Sequence, residues 1–117
     1  MTQSPKLVDR HCKPCPPGTP PLDEPTIRLL LGDVPGWSVG AEASGPPRLG
    51  KHYEFADFLA AMAFLGKLAA LAEEEAHHPD FCVHYNRVEV TLWTHSVGGL
   101  SENDFILAAK LDAALGA

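Results

Sequence analysis

The spacing of apolar residues changes several times along this chain, and each change marks an element. From Leu22 to Val34, Ile27, Leu30, Leu31 and Val34 fall on one helical face behind a suitable first turn of Asp23, Glu24 and Pro25. Pro35-Gly36 ends that helix. Trp37-Ser38-Val39 starts a strand, Gly40 to Pro47 is rich in turn residues, and Arg48 to Tyr53 returns antiparallel to it, interrupted by Gly50. Glu54 to Glu75 carries the strongest helical period. There Phe55, Phe58, Met62, Leu65, Ala69 and Ala72 recur at three- and four-residue steps, Leu59 and Leu68 widen the stripe, and the whole stripe is expected to face the core.

Beyond Pro79 the period becomes two. Phe81, Val83 and Tyr85 alternate with Cys82 and His84, Asn86-Arg87 suits a tight turn, and Val88, Val90, Leu92 and Thr94 alternate with Glu89, Thr91, Trp93 and His95. The aliphatic set should face the helices, leaving Trp93 and its companions on the other side. Gly98-Gly99 then turns the chain, and Ser101 caps a last helix with Asp104 three residues on, a variant of the capping box. Phe105, Ile106, Ala109 and Ala113 can pack inward, and Lys110 lies toward the end that the helix dipole favours. The order α-β-β-α-β-β-α predicts an α+β domain over residues 22–117, with helices on one face of a four-stranded antiparallel sheet.

Composition adds a boundary and several exclusions. Ten of the eleven prolines lie in the first 47 residues, so residues 1–21 read as a proline-rich, partly ordered arm. A net charge of −6 with no basic stripe argues against direct binding of nucleic acid. No apolar run approaches the roughly 20 residues that cross a bilayer. Met1 to Arg10 lacks the apolar middle of a secretory signal, and Cys12, Cys15 and Cys82 form no disulfide framework; both point to a cytoplasmic protein. His11-Cys12-Lys13-Pro14-Cys15 is a lone Cys-x-x-Cys. A closed zinc site takes about four ligands, and only His11 and distant groups such as Cys82 could complete one. The prolines after Cys15 oppose the helix that a thioredoxin-like role needs.

The chemistry gathers at Glu73-Glu74-Glu75-Ala76-His77-His78-Pro79. Carboxylates at a helix C-terminus oppose the dipole, and Pro79 pushes His78 out of helical geometry, so the helix should end at or just before the histidines. Carboxylates beside imidazoles favour the imidazolium form. His77, His78 and His95 all sit at element ends, near Glu73 and Asp104, and such ends can converge. Three imidazoles could bind zinc, or they could serve metal-free acid/base catalysis. Adjacent histidines on extended backbone point apart, which weakens joint ligation by His77 and His78. His52 and His84 read as ordinary strand residues.

These positions carry a resemblance. Glu73-x-x-x-His77-His78-Pro79, Tyr85-x-x-Val88, and Leu92-x-Thr94-His95-x-x-x-Gly99-Leu100-Ser101-x-x-Asp104, with Pro35-Gly36-Trp37 ahead of them, resemble the signature of the pterin-4a-carbinolamine dehydratases. The likeness spans roughly Leu22 to Leu115; Ser101 stands where threonine is frequent, and the arm lies outside it. It implies a helix-on-sheet fold and dehydration of 4a-hydroxytetrahydrobiopterin to quinonoid dihydropterin, with neither metal nor cofactor. It implies His77 and His95 as a proton-transfer pair, His78 orienting the pterin, Glu73 and Asp104 supporting the imidazoles, and Trp37 as a wall. Pro79, Thr94, Ser96 and Val97 would complete the pterin site beside the histidines. Implied partners are a second copy or three, as homodimer or homotetramer, and a functional link to an aromatic amino acid hydroxylase. The same family implies an alternative, a non-catalytic dimerisation cofactor or assembly scaffold.

Overall fold

The computed structural model describes residues 6–41 and 46–115. In it three α-helices and four strands follow the expected order: α1 Glu24–Leu31, β1 Ser38–Ala41, β2 Pro47–Glu54, α2 Phe58–Glu75, β3 Asp80–His84, β4 Arg87–Leu92 and α3 Glu102–Leu115. The strands form one antiparallel sheet in the order β1-β2-β4-β3. Its centre is the β2–β4 pair, with Leu49 opposite Leu92 and Tyr53 opposite Val88. The loop expected between β1 and β2 falls largely outside the described residues.

Alternation decides the faces of the sheet. Leu49, Val88, Val90 and Leu92 are almost wholly buried in one cluster with Phe64 and Leu68 of α2 and Phe105 and Leu111 of α3. At the far end of α3, the Asp112 carboxylate accepts from Trp37 Nε1 (2.9 Å), Lys51 Nζ (2.9 Å) and Tyr53 Oη (2.7 Å), which ties the first hairpin to the last helix. Burial and this acceptor both hold the Tyr53 phenol protonated, well above the ordinary tyrosine range. Gly36 adopts φ +89°, and a Cβ there would meet the Lys51 side chain at 3.2 Å, so this turn requires glycine.

Caps set the helix limits. Asp23 caps α1 through Thr26 N–H (3.0 Å), and Asp57 caps α2 through Ala60 N–H (2.8 Å). Helix α2 therefore begins at Phe58, and Phe55 packs ahead of it, partly buried.

Three expectations about packing need correction. The buried face of α2 is Ala61, Phe64, Leu65, Leu68, Ala72 and Glu75, whereas Phe58, Leu59 and Met62 are exposed. The helix is apolar nearly all round, so the period alone did not say which side is covered. In the second hairpin the turn falls at Tyr85-Asn86, one residue earlier than expected. Tyr85 takes the left-handed conformation (φ 54°), and Asn86 is fixed by two bonds to the Phe55 backbone, its carbonyl accepting at 2.8 Å and its side-chain amide donating at 2.9 Å. On α3, Ala113 is exposed, while Leu107, Ala108 and Leu111 join the core.

Leu59 and Leu68 are nine positions apart, half a turn out of phase on a helix of 3.6 residues per turn. Urea denaturation should therefore separate them. Leu68→Ala should cost about 2–5 kcal/mol, and Leu59→Ala should stay within about 0.5 kcal/mol. Equal losses would place the covered face elsewhere.

Candidate functional site

The site begins where α2 stops. Ala76 takes the left-handed conformation (φ 54°, ψ 38°), its N–H bonds to the Ala72 and Glu73 carbonyls, and the His77 N–H reaches back to Ala72 O at 3.1 Å. A residue with a Cβ pays about 1–2 kcal/mol for this conformation, so surrounding contacts must hold it. The reversal turns His77 toward α3, where its Nε2 lies 2.6 Å from Asp104 Oδ1.

Asp104 is fully buried, and each of its oxygens is engaged. Oδ2 accepts from the Thr94 hydroxyl and from the Ser101 N–H, both at 3.0 Å. The second bond is the expected capping interaction at the start of α3. The Ser101 hydroxyl bonds Thr94 Oγ1 at 2.7 Å instead of completing the box. An ionised carboxylate only accepts, so with Asp104 in that form His77 donates from Nε2, and Nδ1 is the ring nitrogen left outside this bond. Thr94 likewise donates to Asp104, which leaves Ser101 as donor to Thr94.

His78 turns elsewhere. Its Nε2 lies 2.6 Å from Glu73 Oε2, with both side chains mostly exposed, so this pair contributes little to stability. His95 directly follows Thr94 and opens a short 3-10 turn, His95–Val97, closed by Gly98. Its ring lies 3.8 Å from that of Trp93, whose face is also met by the Arg48 guanidinium at 4.6 Å. The structure thus brings His77, Asp104, Thr94 and Ser101 into one bonded group, with His95 next along the chain from Thr94. His78 and Glu73 form a second pair. Pro79 follows directly, Ser96 is exposed, and Val97 is buried. Trp37 is not drawn into this group: its buried indole bonds Asp112, eight positions along α3 from Asp104.

Two participants were not singled out from sequence. Glu75 is buried among the residues of α2, its side chain only 2 % exposed. Cys12 N–H donates to its Oε1 at 2.7 Å, His11 Nδ1 lies 2.9 Å from its Oε2, and Lys110 Nζ lies 3.9 Å away. Asn103 exchanges two bonds with the Lys13 backbone, Lys13 N–H to Oδ1 at 3.0 Å and Nδ2 to Lys13 O at 2.6 Å. In the sequence Glu75 is one of three consecutive carboxylates at the end of α2, and nothing there sets it apart from Glu73 and Glu74. Burial and the Glu75 charge push the Cys12 thiol up to about 12, so it stays a protonated donor toward Asn103 O. Among the described residues no three histidine, cysteine, aspartate or glutamate side chains are grouped to hold a metal ion, and no helix is long and apolar enough to cross a membrane.

Comparison with known proteins points to one family. The family model described as Pterin 4 alpha carbinolamine dehydratase matches residues 20–114. A Dechloromonas aromatica (strain RCB) protein named "Putative pterin-4-alpha-carbinolamine dehydratase" is 44% identical, over 98% of each chain. Among solved structures, a transcriptional coactivator/pterin dehydratase from Brucella melitensis is 34% identical with a TM-score of 0.72, covering 80% of this chain and 96% of its own. A pterin dehydratase-like protein described as a RuBisCO assembly factor in the alpha-carboxysome is 31% identical with a TM-score of 0.59, covering 70% of this chain and 92% of its own.

The buried glutamate gives a pH dependence. Burial raises the Glu75 pKa, but the Cys12 N–H, His11 and Lys110 outweigh it and hold the carboxyl below its ordinary value of 4.5. A folded value below the unfolded one means that ionised Glu75 stabilises fully above 4.5. That contribution is lost as pH falls below 4.5 and through the depressed folded value. Urea midpoints measured from pH 6 to pH 3 should fall less steeply for Glu75→Gln than for the parent chain. Identical slopes would remove Glu75 from the acid response.

Proposed function

The chain belongs to the pterin 4 alpha carbinolamine dehydratase family, and on that premise we propose that it dehydrates 4a-hydroxytetrahydrobiopterin to quinonoid dihydropterin by histidine acid/base catalysis. The observation that carries this reading is the 2.6 Å bond from His77 to a wholly buried Asp104, whose second oxygen holds the residue before His95. One carboxylate thereby fixes an imidazole and the strand end that delivers a second one.

The proposed step is a balanced elimination. One imidazolium protonates the departing 4a-hydroxyl, the C4a–O bond breaks, and water leaves. A neutral imidazole takes the proton from the adjacent ring nitrogen as a carbon–nitrogen double bond forms. Nothing is oxidised or reduced, so the step as written calls on no cofactor and no metal. Histidine suits both transfers because it gains and loses a proton near neutrality. His77 and His95 form the proton-transfer pair, with Asp104 holding His77 at Nε2 and leaving Nδ1 outside that bond. His78, steadied by Glu73, orients the ring, and Pro79, Thr94, Ser96 and Val97 supply backbone and edges around it. A reaction that hydroxylates aromatic amino acids with a tetrahydropterin would supply the substrate.

Self-association belongs to the same proposal. Trp93 is flanked by Arg48 and His95 within the chain. Among the described residues, the large apolar side chains left in water include, besides Leu29, Tyr85 and Leu115 elsewhere, Phe58, Leu59 and Met62 on α2 and Phe81 on the edge strand β3. We place the contacts of a homodimer or homotetramer there. A strict monomer by light scattering at micromolar concentration would remove this part. These surfaces also sustain a second reading, an interaction scaffold, since one similar structure is described as an assembly factor.

Substitution kinetics test the catalytic reading. Loss of a group that acts only in the transition state lowers kcat and kcat/KM together, whereas loss of uniform binding raises KM. His77→Ala and His95→Ala should lose about 10²-fold or more in kcat, and His78→Ala should chiefly raise KM. Circular dichroism must first establish that each variant is folded. Full activity in any two of the three would put the scaffold reading first.

A further inference from the structure

The arm binds the two helices at the residues next to the paired histidine and aspartate. Glu75, two positions before His77, accepts the Cys12 N–H. Asn103, immediately before Asp104, takes both the N–H and the carbonyl of Lys13. Consecutive arm residues thus bridge the end of α2 to the start of α3. Leu7 is buried in the core, Lys110 donates to Val8 O at 2.9 Å, and Leu22 N–H donates to Leu100 O at 2.9 Å, so the strap is fastened on both sides of the bridge. A Cβ on Gly99 would lie 3.0 Å from Pro21, so the arm also approaches the loop that carries His95 into α3.

Without the strap, the end of α2 would keep a left-handed Ala76 and a buried carboxylate without its backbone donor. Both conditions favour movement of the turn that aims His77. We propose that residues 11–13 are a clamp that sets the His77–Asp104 distance, and that Glu75 and Asn103 are positioning residues acting through it. The proposal deepens the dehydratase reading and rests on it for its kinetic consequence alone. A displacement of about 1 Å at a catalytic group is enough to cost on the order of 10²-fold in rate. The clamp gives the arm a role in the reaction although none of its residues need touch the pterin.

The test uses the full chain with ¹⁵N-labelled histidine, reading the His77 Nε2 proton by NMR together with kcat and KM. Asn103→Ala removes the clamp from the helix side. Lys13→Pro removes the donor N–H from the arm side and leaves both helices untouched. Thr19→Ala, in an exposed turn of the arm, serves as control. Both clamp variants should broaden or shift the His77 proton signal and lower kcat about tenfold or more, with KM within about twofold; Thr19→Ala should match the parent. An altered signal in both clamp variants of a chain with no dehydratase turnover would keep the clamp and discard the catalytic reading. Unchanged signals with unchanged kcat would discard the clamp and keep that reading. Lys13→Pro keeps the bond from Asn103 Nδ2 to the residue-13 carbonyl, so its change should be the smaller of the two; an unchanged signal in Asn103→Ala, which loses both bonds to Lys13, would also overturn the proposal.

Discussion

A carboxylate that water cannot reach must find its partners inside the protein, and Asp104 finds three. His77, Thr94 and Ser101 come respectively from the end of α2, the segment after β4 and the cap of α3. Leaving such a charge unpaired costs about 3–5 kcal/mol when a partner is removed. That penalty fixes the mutual position of three elements more tightly than apolar packing would. The long helix and the central strands deliver the backbone to this point, and the carboxylate selects the one arrangement that satisfies it.

Much of this was legible in the residues. The alternation of Val88, Val90 and Leu92 identified a half-buried strand because a sheet with helices on one face imposes period two. The breaker Pro79 and the histidines before it located the end of α2. The side that α2 buries was not legible, because an alanine-rich helix offers an apolar residue at nearly every angle. The turn at Tyr85-Asn86 was misplaced by one residue, since a long-range bond to Phe55 decides it and local turn preferences do not. Trp37 was expected at the site because the resemblance pairs it with the histidines, whereas its contacts lie with Asp112.

The arm marks the sharpest limit of sequence reasoning. Among its described residues the arm has no regular structure apart from one 3-10 turn at Leu7–Asp9. Yet an irregular segment can be firmly held when its backbone groups meet side-chain partners, and those partners, Glu75 and Asn103, lie far away in the chain. Nothing in the spacing of His11, Cys12 and Cys15 announces them. The fold shared with a coactivator and an assembly factor also makes plain that a scaffold of this kind hosts more than one activity. Function has to be argued from the bonded histidine and aspartate and from exposed surface, each on its own terms.

The central claim is that this chain converts a 4a-hydroxytetrahydropterin. Its most direct measurement is the decay of freshly generated 4a-hydroxytetrahydrobiopterin, followed by absorbance with purified protein across a substrate range. The account predicts a saturable acceleration, proportional to protein concentration, with quinonoid dihydropterin as the product. Decay at the uncatalysed rate, at every protein concentration, would contradict it.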